Sequence, residues 1–217
     1  MEIYPDIQII SGIASRLYLI RDFDGFTMID AGLRLDAGSI IRFLEKHIQE
    51  PNKLTQILIT HADGDHFGGV NAIISKYPNV SVRASLIESE SIKKGVSSRI
   101  IQAKGCLGII FNLGSSLFRS DPTPPCLGDL EPDMELPVLG GLKVLDTSGH
   151  TPGHRSFFLV QHQILFAGDS ILIHGDKLVP SSGANTWDYA KAKSAFERQL
   201  ALDPIIIAGG HGWIKLK

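Results

Sequence analysis

The stretch Gln56-Ile57-Leu58-Ile59-Thr60-His61-Ala62-Asp63-Gly64-Asp65-His66-Phe67-Gly68-Gly69 decides how this chain is read. Gln56–Thr60 is a short apolar run with β-branched residues, which suits a strand buried on both faces. It is expected to end at His61. Four potential metal ligands, His61, Asp63, Asp65 and His66, then fall within six residues. Alternate residues of an extended loop point the same way, so His61, Asp63 and Asp65 are expected to converge, with His66 reaching back as the next helix begins. That helix is expected to begin around Gly68 and to carry Val70, Ile73, Ile74 and Tyr77. Val80–Ala84 then reads as another strand. A strand, a helix and a strand in this order imply a parallel pair joined by a right-handed crossover.

Upstream, Arg16–Arg21 and Phe26–Ile29 read as strands flanking Asp22-Phe23-Asp24-Gly25, a hairpin signal. Asp36–Gln49 reads as an amphipathic helix with Ile40, Ile41, Leu44 and Ile48 on one side and Asp36 as its cap. Downstream, Leu142–Asp146 reads as a strand, and Arg155–Gln161 and Gln163–Ala167 as a hairpin around His162. Asp188–Leu202 reads as a helix and Ile205–Ala208 as the last strand. Residues 85–140 suggest a helix near Leu86–Lys94 and then a Gly-, Ser- and Pro-rich stretch. This segment reads either as a surface insertion or as a flap over a site. No repeat or linker divides the chain, so residues 1–217 are expected to form one domain with a variable loop around 85–140. The class expected is α/β, with two sheets packed together and helices outside.

The expected strands share one property: each ends in a Gly-rich loop that carries His or Asp. His61, Asp63, Asp65 and His66 follow Thr60. His150 follows Thr147-Ser148-Gly149, Asp169 follows Gly168, and His211 follows Gly209-Gly210. Imidazole and carboxylate are the ligands that divalent first-row ions take at sites with open positions. A strand fixes where each loop begins, and glycine lets the backbone turn without strain.

This ordered set resembles the metallo-β-lactamase fold superfamily, and in particular its single-domain hydrolases related to glyoxalase II. His61-Ala62-Asp63-Gly64-Asp65-His66 is similar to the family motif HxHxDH except at the second His, and Phe67-Gly68-Gly69 also fits. Ser148-Gly149-His150-Thr151-Pro152-Gly153-His154, Gly168-Asp169-Ser170 and His211 match the later motifs, and Asp30 matches the Asp that ends an early strand. The resemblance implies a four-layer αββα sandwich with metals at one edge. It implies a first metal on His61, Asp63 and His150, a second on Asp65, His66 and His211, and Asp169 between them. It further implies a metal-dependent hydrolase in which a hydroxide shared by two divalent ions attacks an ester, thioester, lactone, amide or phosphoester. Asp65 would also serve as the catalytic proton acceptor or relay.

Asp63 is the departure from the family pattern. A carboxylate in place of imidazole adds one negative charge at the first metal, and an oxygen ligand favours manganese or iron over zinc. Flavodiiron proteins of the same superfamily carry Glu there and bind iron. An iron-bound redox enzyme and a non-catalytic ligand-binding member are therefore the alternative readings. Asp30 is expected to orient a ligand rather than bind metal. His154 is expected to be structural, and His47 and His162 to be surface residues. Trp187 and Tyr189 are expected in the core, and the sequence does not choose whether His174 lines the pocket.

Composition narrows the rest. Hydrophobic residues at 43% and charged residues at 20% allow a sizeable core. A net charge of −2 gives no pull toward nucleic acid or anionic membrane. The expected partner is a small-molecule substrate, with a homo-oligomer left open. No apolar run approaches the roughly 18 residues of a membrane span, and Met1–Ile10 lacks the pattern of a signal peptide. Cys106 and Cys126 form no CxxC pair and read as free thiols in a cytoplasmic protein.

Overall fold

A computed structural model describes residues 1–99 and 120–217. The first sheet holds β1 (Glu2–Tyr4), β2 (Ile7–Ser11), β3 (Arg16–Arg21), β4 (Phe26–Ile29), β5 (Leu54–Leu58), β6 (Ser81–Arg83) and β7 (Cys126–Leu127), in that spatial order. Its early strands are antiparallel. From β4 onward neighbours run parallel. Parallel neighbours need crossovers, and the helices supply them. Helix α1 (Ala37–His47) joins β4 to β5, α2 (Gly64–Phe67) and α3 (Val70–Lys76) join β5 to β6, and α4 (Leu86–Ile92) follows β6.

The second sheet contains β8 (Glu135–Leu136), β9 (Leu142–Asp146), β10 (Arg155–Leu159) and β11 (Ile164–Gly168) from the middle of the chain. A short ribbon of β12 (Ile171–His174) and β13 (Lys177–Pro180) and then helix α5 (Tyr189–Leu200) separate these from β14 (Ile206–Gly209) and β15 (Trp213–Lys215). The spatial order is β15-β14-β11-β10-β9-β8, and among the described residues of this sheet only β11 and β14 pair in parallel.

Side-chain alternation assembles the layers. In β3, Tyr18 and Ile20 face the second sheet, where they join Leu142, Val144, Phe157, Leu159 and Phe166 in one buried cluster. Leu17 and Leu19 point the other way, into a cluster with Ile40 and Leu44 of α1 and Val70 and Ile73 of α3. On the outer face of the second sheet Phe158, Leu165 and Ile207 pack with Phe196 and Leu200 of α5. The result is the four-layer αββα sandwich, two mixed sheets flanked by helices.

Several local expectations need correction. The helix expected around Gly68 is α3, with Gly69 just before it, but a separate short helix, α2, precedes it from Gly64, with Asp63 still extended at φ −98°, ψ 145°. Asp65 and His66 therefore stand on a helical turn, not in an extended loop. Asp36 does not cap α1. It is itself helical, at the end of a 3-10 turn over Arg34–Asp36, so its carboxylate turns back to accept from the backbone N–H of Ile13 and Leu33. Segment 85–140 is more than a surface insertion in its described parts: β7 extends the first sheet, β8 the second, and Leu130, Leu136 and Val138 lie in the intersheet core. Trp187 and Tyr189 are exposed, since Asp188 caps α5 by accepting from Lys191 and holds the first turn at the surface.

Leu44 is fully buried between α1 and the first sheet, while Lys46 on the same helix is exposed. Leu44→Ala is expected to cost about 2–5 kcal/mol in urea unfolding, and Lys46→Ala to stay within about 0.5 kcal/mol.

Candidate metal centre

Loops from both sheets meet at one edge. His61 and Asp63 follow β5, and Asp65 and His66 lie on α2. His150 sits between β9 and β10, Asp169 between β11 and β12, and His211 between β14 and β15. All seven side chains are brought together in three overlapping groups: His61, Asp63 and His150; His61, His66 and Asp169; and Asp65, His66 and His211. Tyr18 and Gly210 hold the last loop in place. The Tyr18 hydroxyl reaches from the first sheet and donates to the Gly209 carbonyl at 2.7 Å. A Cβ on Gly210 would strike Asp169 Oδ1 and stand 2.7 Å from His66 Cε1, so only glycine lets this backbone pass so close to the pocket.

Each of the four imidazoles is fixed through Nδ1. His66 Nδ1 donates to Asp30 Oδ2 at 2.8 Å and His211 Nδ1 to the Ala14 carbonyl at 2.8 Å. Thr60 gives its one hydroxyl proton to Asp30, so Thr60 Oγ1 must accept from His61 Nδ1 at 2.9 Å. His150 Nδ1 pairs with Ser181 Oγ at 2.7 Å. Each ring is thereby engaged at Nδ1 and turns its Nε2 to the pocket, the atom that the ring can offer to an ion once any proton on it is displaced. Among the described residues, His61 Nε2, His66 Nε2 and Asp169 Oδ1 are buried without any hydrogen-bond partner. Orphaned polar atoms of this kind cost free energy unless something satisfies them, and lone pairs aimed at one point suit a cation.

At the Asp65 side the ligand atoms stand on either side of the spacing an ion takes. Donors about 2.0–2.2 Å from one tetrahedral ion stand roughly 3.3–3.6 Å from each other. His66 Nε2 lies 3.4 Å from Asp169 Oδ1, and His211 Nε2 lies 3.1 Å from Asp169 Oδ2. Asp65 Oδ2 is 3.8 Å from both nitrogens. Burial pushes His66 toward its neutral form, but the carboxylates of Asp169, Asp30 and Asp65 outweigh it and hold its pKa well above the ordinary value. The bond to Asp169 lifts His211 to about 9. Burial likewise opposes charge on Asp169, yet His66 and His211 hold its carboxyl well below the usual range.

The His61 side is different. His61 Nε2 and His150 Nε2 stand 3.4 and 3.3 Å from Asp63 Oδ2, spacing that an ion would accept. Both Asp63 and His150, however, are already engaged. Arg99, buried at 8% exposure, donates from Nη2 to Asp63 Oδ2 at 2.5 Å and from Nη1 to His150 Nε2 at 3.1 Å. Ser97 Oγ donates to the other Asp63 oxygen at 2.9 Å. Asp65, His66 and His211, with Asp169 beside the two rings, could thus hold a divalent ion, whereas the ligand atoms of Asp63 and His150 are taken while Arg99 stays.

Of the remaining histidines, His154 is buried and neutral. Burial, with His61 and His150 beside it, keeps its pKa well below the ordinary value. Its Nε2 accepts the Asp169 backbone N–H at 3.1 Å, and its Nδ1 pairs with Thr147 at 2.7 Å. It therefore orients Asp169. His174 is exposed at the end of β12 and belongs to none of the three groups. His47 stacks on Phe43, and His162 packs edge-on against Tyr4.

Arg99, Ser181 and Glu88 were not among the residues singled out from the sequence. Glu88 is fully buried. Its Oε2 accepts the Ala62 N–H, and its Oε1 accepts from Thr151 Oγ1 and the Gly153 N–H, all at 2.8 Å. One carboxylate thus clamps the His61–Asp63 loop to the His150 loop.

The chain is matched over residues 12–211 by the family model of the metallo-beta-lactamase superfamily, and it belongs to that superfamily. It is 28% identical over 215 residues to the uncharacterized protein YobT of Bacillus subtilis, covering 90% of this chain and 82% of that one. It is 27% identical over 200 residues to the probable metallo-hydrolase YflN of the same organism, covering 86% and 75%. The hydroxyacylglutathione hydrolase of Glaesserella parasuis is 26% identical over 178 residues, covering 81% of this chain and 57% of that protein. The fold is similar to that of a Cronobacter sakazakii metallo-beta-lactamase with a HARLDQ motif, with a TM-score of 0.70 at 21% identity over 98% of this chain and 77% of that one.

Glu88→Gln keeps an acceptor at Oε1 but sets an amide donor against the Ala62 N–H. It is expected to lower stability by about 1–3 kcal/mol in urea unfolding, and Glu88→Ala by more. Equal stability of the two variants and the natural chain would remove the clamp.

Proposed function

We propose that this chain is a metal-dependent hydrolase of a small-molecule ester, thioester, lactone, amide or phosphoester. The observation that carries the reading is that two buried ligand atoms without a hydrogen-bond partner, His66 Nε2 and Asp169 Oδ1, face each other where the loops of both sheets meet, with Asp65 and His211 beside them. In this proposal Asp65, His66, His211 and Asp169 hold a divalent ion. Two imidazoles and two carboxylates form a mixed nitrogen and oxygen set that zinc, iron and manganese all accept. The ion, when bound, supplies Lewis acidity and makes a water proton easier to lose.

The chain's own residues do the rest. Asp30 and Ala14 keep His66 and His211 in the Nδ1–H form, so their Nε2 atoms stay available. Asp65 carries the proton-relay role. Its carboxylate is partly exposed, near His66 and His211, where it can take a proton from water and pass it to a leaving group. His211 is the most exposed of the seven, at 44% for its side chain, so substrate approaches from its side. Among the relatives, the names hydroxyacylglutathione hydrolase and atrochrysone carboxyl ACP thioesterase make thioesters the first class to assay.

The purified chain is expected to hydrolyse at least one generic thioester, ester or phosphodiester. Chelation should abolish the rate, and Asp169→Ala should lower it at least about 100-fold. A rate that survives both contradicts the proposal. Metal affinity should also depend on pH with a definite sign. In the metal-free protein His211 holds a proton up to about pH 9, and an ion must displace it. Calorimetric titration with zinc is therefore expected to show proton release near neutral pH. Affinity should rise toward pH 9 by up to about tenfold per pH unit for each proton displaced, from His211 and from His66, which is also held well above the ordinary value. An affinity that stays flat across that range would mean His211 is not a ligand.

A further inference from the structure

Asp63 and His150 are two of the three residues that would hold an ion in the first pocket. Their pocket-facing atoms, Asp63 Oδ2 and His150 Nε2, are both taken by the guanidinium of Arg99. Arginine donates only, so His150 Nε2 must be the acceptor in this bond. It spends on Arg99 the lone pair that a metal would need, and the hydrogen on Nδ1 goes to Ser181. The site is built rather than incidental. Arg99 is 8% exposed, Ser97 Oγ holds the second Asp63 oxygen, and Ser98 Oγ bonds to Glu88, which clamps the two ligand loops.

Charge is compatible with this arrangement: three carboxylates, Asp63, Asp65 and Asp169, face the pocket, the guanidinium neutralises Asp63, and it keeps its charge at any working pH.

We propose that Arg99 is the resident cation of the first pocket, so that the chain loads a single divalent ion on Asp65, His66, His211 and Asp169. The carboxylate at position 63 is then matched to Arg99 rather than to a metal: imidazole at that place would have no charge to offer a guanidinium. Arg99 is a positioning residue here, since it holds Asp63 and His150 in the places that the second ion would otherwise fix. This rests on the metal-centre reading above.

The test counts ions and needs no activity. The whole chain is stripped with chelator, saturated with zinc or manganese, passed through gel filtration and assayed by plasma mass spectrometry. The natural protein should retain about one ion per chain and Arg99→Met about two, while Arg99→Met with His61→Ala should return to about one. Two ions in the natural protein would overturn the assignment whatever the variants do, even if Arg99→Met fails to fold. One ion in both the natural protein and Arg99→Met would also overturn it. No retained ion in either protein would sink the metal centre itself, and this proposal with it.

Discussion

The structure depends on one constraint: each pocket-facing imidazole must have its Nδ1 hydrogen accepted by a fixed partner. Asp30, Thr60, Ser181 and the Ala14 carbonyl meet it for His66, His61, His150 and His211. Only then do the Nε2 atoms converge. These partners come from the loops beyond β2, β4, β5 and β13, so ring orientation is a property of the whole sandwich rather than of one motif. The four-layer packing serves this purpose. It brings the ends of β4 and β5 in one sheet against those of β9, β11 and β14 in the other, and Tyr18 ties the two edges together.

Bringing this many polar groups out of water is costly, and the surrounding loops show how the fold offsets it. Glu88 satisfies donors on both ligand loops with a single carboxylate. His154, held neutral by burial, accepts the Asp169 N–H. Gly168, at φ +53°, lies so close to that ring that a Cβ would stand 2.8 Å from His154 Nε2. Arg99 neutralises Asp63. Of the five buried polar atoms left unsatisfied among the described residues, three, His61 Nε2, His66 Nε2 and Asp169 Oδ1, lie at the centre, the others being Arg99 Nε and Ser120 Oγ. Deficits concentrated in this way mark a functional site rather than poor packing.

Much of this was legible in the sequence because periodicity and strand ends are local signals. The hairpin about Asp22–Gly25, the helix after Asp36, the strand Leu142–Asp146 and the ligands following glycine could all be read from neighbouring residues. Ring partners other than Asp30 could not, because Ser181 and the Ala14 carbonyl carry no local mark of what they touch. Glu88, beside Glu90 on a short helix, looks like one more solvated charge, yet tertiary packing buries it completely. Arg99 follows Ser97-Ser98 in a stretch without periodicity, and its role depends on residues 36 and 51 positions away. The ribbon of β12 and β13 turns at Gly175-Asp176, a hairpin signal the sequence does carry. Its strands are too short to stand out beside the longer runs. The variable loop around 85–140 lies only partly within the described residues, and Cys106 lies outside them. Cys126 is buried, which pushes its thiol up to about 12 and leaves it unreactive. Among the described residues no helix is long and apolar enough to cross a membrane.

The central claim is that ring orientation and orphaned lone pairs define a metal centre at the meeting of the two sheets. The most direct measurement is a crystal structure of the zinc- or manganese-soaked protein with the ions located by anomalous scattering. The account predicts a peak about 2.0–2.3 Å from His66 Nε2, from His211 Nε2 and from an Asp169 oxygen, with each ring still donating through Nδ1. A pocket without anomalous signal, or rings turned so that Nδ1 faces the centre, would contradict it.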